Sequence, residues 1–136
     1  DGETAEIIAH ILYGDSELHW VILLINNITD RYHHWPKSYT QWLFFLEEKY
    51  PTDPDASTSL IFQTHHFEIS QTSGDTTVKI DIGTTDTTSD FSATAVSNYD
   101  YEENVRNEQS QIRLLDPSYL PLFVEEFENL MQESIV

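Results

Sequence analysis

The stretch from Thr4 to Pro36, TAEIIAHILYGDSELHWVILLINNITDRYHHWP, limits the possible folds more than any other part of the chain. Ile7, Ile8, Ile11 and Leu12 recur at spacings of three and four, which places them on one face of a helix. Gly14 follows where a helix end favours a residue free to take positive φ. Asp15 and Ser16 come next, and either side chain can cap a second helix. That helix, from Glu17 to about Ile25, is apolar nearly all round and is therefore expected to be the buried centre. Leu18, Trp20, Ile22, Leu23 and Leu24 are its expected core residues. Asn26 and Asn27 stop it, because Asn competes for backbone hydrogen bonds and tolerates the left-handed region.

One domain's worth of chain surrounds this pair: 136 residues, enough for a modest core. Lys and Arg number 6 against 24 Asp and Glu, a formal charge of −18. Such a field repels nucleic acid and anionic lipid, and neither is expected as a partner. Cysteine is absent, which rules out disulfides and thiol chemistry. The run from Trp20 to Ile25 is too short for a membrane span, and no signal peptide is visible. The chain starts at Asp1 without Met, as expected of a trimmed chain or of one whose beginning lies upstream.

Downstream, Arg31 to Pro36 reads as an aromatic loop stopped by proline. Ser38 can cap a third helix, Tyr39 to Tyr50, with Trp42, Leu43, Phe45 and Leu46 as its apolar stripe. Pro51 and Pro54 end it, and Thr52 to Ser59 reads as a loop. Leu60 to Ser70 reads as a strand, and Thr76 to Gly83 alternates Val78, Ile80 and Ile82 against Lys79 and Asp81. With turn residues around Gly74 between them, the two strands suggest a hairpin. Ser and Thr make up nearly half of Ser70 to Ser97, a composition suited to exposed strands and loops. Thr84 to Asp90 is expected to be a mobile loop, and Phe91 to Val96 a third strand. Tyr99 to about Gln109 reads as a polar helix and Gln111 to Leu115 as a short strand. Asp116 and Pro117 open a last helix, striped by Leu120, Phe123, Val124, Phe127, Leu130 and Met131.

No stretch carries recognisable catalytic or metal-binding chemistry, so no catalytic residue, metal ligand or cofactor is expected. His10 and His19 stand alone, and His33-His34 and His65-His66 lack zinc-site spacings; neighbours on a strand point to opposite faces. Asp81, Asp86 and Asp90 lack the order of a calcium loop. Nucleophile elbows and glycine-rich phosphate cradles are missing as well. The surplus is aromatic instead. Tyr32, Trp35 and Trp42, with Tyr99 and the isolated cations Arg106 and Arg113, are the candidate partner-binding residues, since such side chains dominate interfaces when desolvated. The competing reading seals the aromatics into a helix corner and pairs the arginines internally.

Two blocks of sequence resemble a known family. Tyr13-Gly14-Asp15, Leu18, Trp20-Val21, Leu23-Leu24, Asn26-Asn27, Asp30, Tyr32 and Trp35 form the first. Tyr99, Glu102, Asn107-Glu108, Gln111 to Leu115, Phe127, Leu130 and Met131 form the second. The first block resembles the LysM module, and both together are similar to the LysM-like baseplate wedge subunit of T-even-like contractile-tailed phages. The resemblance implies an α+β fold, a LysM-like helix pair with additional helices and a small antiparallel sheet. Residues 1–50 would hold the helical core, its first strand upstream or absent. Residues 51–98 would be the Thr/Ser-rich strand and loop region, and 99–136 the helix, short strand and C-terminal helix completing the domain. It also implies a structural protein without enzymatic activity, binding other wedge proteins in a hetero-oligomer and helping wedges join around the hub. Its place would be the virion, and the host cytoplasm during assembly. The alternatives are a LysM-type module binding peptidoglycan or chitin, and an isolated enzyme domain.

Overall fold

Thr4 opens the first helix by accepting a hydrogen bond from the backbone of Ile7 at 3.4 Å, and α1 spans Ala5–Tyr13. Gly14 closes it in the left-handed region at φ 76°, with its N–H donating to the His10 carbonyl at 3.0 Å. Asp15 then caps a 3-10 turn, Ser16–Leu18, that leads into α2, His19–Ile25. The Asn stop is also observed: Asn27 sits at φ 54°, and the Asn26 amide donates to the Ile22 carbonyl at 2.8 Å. The computed structural model describes residues 1–52, 54, 59–85 and 92–135. Within them are α3 (Arg31–His34), α4 (Tyr39–Lys49), β1 (Thr64–Ser73), β2 (Thr76–Gly83), β3 (Thr94–Ser97), α5 (Asn98–Gln109) and α6 (Leu120–Ile135). Helices and one small antiparallel sheet together make the fold α+β.

The chain divides into two compact units, one of Asp1–Pro36 with Gln109–Val136 and the other Lys37–Glu108. In the first of these units the C-terminal segment packs with the N-terminal helices. In the first unit Ala5 and Ala9 of α1 and Val21 and Ile22 of α2 are buried. Trp20 lies against α6, its ring centroid 4.6 Å from Phe127 and 6.2 Å from Phe123. The helix α2 is not buried all round, however. Leu18, Trp20 and Leu23 are partly covered and Leu24 is 49% exposed, since a helix this short is covered only where a neighbour meets it.

Two local expectations in this unit need correction. Arg31 to His34 is a helical turn rather than a loop, because Asp30 caps it with bonds from the backbones of Tyr32 and His33. Gln111 to Leu115 forms no strand. The Asn26 side chain takes the place of a pairing strand, accepting from the Arg113 N–H and donating to the Arg113 carbonyl, both at 2.8 Å. Among the described residues of this unit there are helices and 3-10 turns but no strand, so the strands that flank the helix pair of a LysM module are not found there.

In the second unit Ser38 and Gln41 form a capping box that starts α4. The sheet order is β2-β1-β3, both pairings antiparallel. Ser73 faces Thr76 across a two-residue turn in which Gly74 takes φ 61°, as primed hairpin turns require. The strand expected over Leu60 to Ser70 is split. Leu60–Phe62 is a 3-10 turn capped by Ser59, and β1 begins only at Thr64. Phe91 and most of the loop Thr84 to Asp90 lie outside the described residues, as does part of Thr52 to Ser59. Ser97 links β3 directly to α5, its hydroxyl accepting from the Asp100 N–H at 3.1 Å. Trp42, Leu46, Phe67, Ala93 and Val96 are the buried apolar residues of this unit.

Candidate partner-binding surfaces

The candidate interface residues fall in both units. In the first, Tyr32 on α3 is 82% exposed. Its neighbour Arg31 pairs with Glu6, whose carboxyl is held below the usual range first by its own backbone N–H and then by Arg31. Trp35 is partly covered and donates its indole N–H to the Glu3 carbonyl at 3.0 Å, which ties the end of α3 to the start of the chain. Arg113 is exposed, with its backbone held by Asn26. Around them the same unit leaves Ile7, Ile11, Leu24, Leu114, Tyr119 and Leu122 exposed. Isolated exposed apolar residues are ordinary, but a unit this small with so many carries the composition of an interaction surface.

In the second unit Trp42, Tyr99 and Arg106 are brought together, with Trp42 inside the unit. It is 3% exposed, with the Tyr99 ring edge-on at 5.4 Å and the Tyr39 ring tilted at 5.9 Å. The Arg106 guanidinium lies 5.7 Å from both the Trp42 and Tyr39 rings, within the reach of a cation–π contact. Tyr99 also stacks on Phe62 at 6.1 Å, and Phe62 and Tyr39 are exposed. The cluster is therefore a core anchor with an aromatic rim, and Phe62 is its unforeseen member. In the sequence it falls within the strand expected over Leu60 to Ser70, and in the structure it ends a 3-10 turn instead.

Two polar clusters complete this unit. Glu102 is buried, accepts from the Tyr50 hydroxyl at 2.8 Å and pairs with Lys49. His65 and His66 do not point apart as strand neighbours should; their Nδ1 atoms lie 2.8 Å from each other. The β1–β3 register slips between Thr64 and His66, and such a bulge breaks the alternation. His65 stacks on Tyr101 at 3.8 Å, and His66 reaches Glu68 at 3.0 Å. Among the described residues no group of three or more His, Asp or Glu side chains could hold a metal. Asp81 accepts from the Gly83 N–H at 2.7 Å, while Asp86 and Asp90 lie outside the described residues. A groove of about 440 Å³ is lined by Glu68, Lys79, Asp100, Glu103 and Asn104 among others.

The described residues thus include exposed apolar and aromatic side chains on helices of both units. No helix among the described residues is long and apolar enough to cross a membrane. No curated protein matches the chain. Residues 2–42 match a phage family model described as Base plate wedge protein 53, and that stretch takes in α1, α2, α3 and the start of α4 as far as Trp42. Over this segment, less than a third of its length, the chain is similar to that phage baseplate wedge family.

Proposed function

We propose that the chain is a non-enzymatic wedge subunit that binds other wedge proteins in a hetero-oligomer and helps neighbouring wedges join around the tail hub. In this reading it is made in the host cytoplasm and incorporated there during assembly. The observation that carries the proposal is a coincidence in position. The segment with the family signature, residues 2–42, is also one that leaves Ile7, Ile11, Leu24 and Tyr32 in solvent. A group of apolar side chains left exposed on one segment is the kind of surface a partner desolvates. Tyr32 and Trp35 are the proposed anchors of the first unit, with Arg113 beside Asn26. Tyr99 and Arg106, organised around buried Trp42, are those of the second.

The test is co-sedimentation with purified wedge complex assembled without this chain. The wild-type protein is expected to sediment with it. Tyr32→Ala should weaken association by about 2 kcal/mol, the threshold of an interface hot spot, with the melting temperature unchanged because the side chain is almost fully solvated. A wild-type chain that stays in the supernatant would overturn the proposal.

A further inference from the structure

The apolar face of α6 continues after its partner stops. Phe123 and Phe127 lie on Trp20, so this side of the helix faces inward over its first turns. Leu130 and Met131 stand three and four residues beyond Phe127, and Ile135 four beyond Met131, so helical spacing sets them on the same side. Yet they are 62%, 50% and 81% exposed. An inward stripe that runs on into solvent over the last turns of a helix is half of a packing interface.

The surroundings say what completes it. Glu125, Glu126, Glu128 and Glu133 share this helix, and from Leu114 to Ile135 there is no Lys, Arg or His. A second copy would set the same glutamates against these, with a charge of −18 on each chain, and an anionic lipid surface would be repelled in the same way. An extended peptide gains its affinity from backbone pairing, which a helix cannot offer; ridges spaced by three and four fit another helix. We propose that Leu130, Met131 and Ile135 dock an amphipathic helix of another protein, one whose apolar stripe is bordered by Lys and Arg. The proposal rests on the wedge-subunit reading and names the surface and chemistry through which that subunit takes a partner.

The experiment titrates full-length chain into purified wedge complex lacking it, at two salt concentrations. Leu130→Gln, Met131→Gln and Ile135→Gln combined should weaken binding about thirtyfold, the ratio set by one interface hot spot, with an unchanged melting temperature. Glu128→Lys with Glu133→Lys keeps the apolar contacts. It should weaken binding at least about tenfold and remove the loss of affinity that added salt causes in the wild type. A photo-crosslinker in place of Met131 should attach to a helix with an apolar stripe and basic borders. Wild-type-like binding by the triple variant overturns this inference and leaves the wedge reading standing. So does a crosslink to a second copy of the chain, or to a segment without basic borders. Failure of the wild-type chain to bind the wedge overturns both.

Discussion

Replacing Lys49 tests what holds the carboxylate of Glu102 inside the second unit. The Glu102 side chain is 5% exposed and its partner Lys49 is 45% exposed; the other bond comes from the Tyr50 hydroxyl at 2.8 Å. Breaking a buried pair costs about 3–5 kcal/mol when the survivor is left uncompensated. Here Tyr50 still donates and the ammonium was already half solvated, so Lys49→Met is expected to cost less. About 2 kcal/mol is the worth of one hydrogen bond to a charged group. Lys49→Met combined with Glu102→Leu removes the charge together with its partner. What remains is a Tyr50 hydroxyl short of one acceptor, about 1 kcal/mol. The double variant should therefore be more stable than Lys49→Met alone, and more stable than the sum of the two single effects predicts. Urea melts followed by tryptophan fluorescence, with unchanged slopes, measure it. A loss below about 0.5 kcal/mol for Lys49→Met would refute the reasoning, because hydrogen bonds to charged groups are worth more than that. So would a double variant that falls by the sum of the singles.

Two further outcomes follow from the same structure. Ile22→Ala, at a fully buried position of α2, should cost about 2–5 kcal/mol, while Leu24→Ala, half solvated on the same helix, should cost under about 1 kcal/mol; equal losses in urea melts would contradict the described burial. At high pH, Lys49 is held above its ordinary 10.5, chiefly by the bond to Glu102, and Tyr50 above 10.0, chiefly by burial. Both groups keep their protons longer folded than unfolded, so their contribution is complete below about pH 10 and lost as pH rises through the folded values. Thermal melts should fall above that pH, and fall less steeply for Lys49→Met.

Much of the backbone was legible because its signals are short-range. Asp15 and Ser38 cap helical turns through a carboxyl or hydroxyl group two or three residues from the N–H they satisfy. Gly14 and Asn27 take positive φ, a freedom written into the residue type itself. Gly74 likewise fixed the hairpin and its register. Each of these depends on a few neighbours in sequence, so the amino-acid order alone determined where the elements begin and turn. The interface candidates were less legible, because an aromatic residue at helical spacing serves a core or a surface equally well. Only the tertiary structure decided that Trp42 lies inside an aromatic cluster while Tyr32 stands in solvent. It also decided that Asn26 takes the place of a pairing strand for Arg113, and that the stripe of α6 outruns its cover. Those outcomes depend on which faces meet across long stretches of chain, and burial is a property of the meeting, not of the residue.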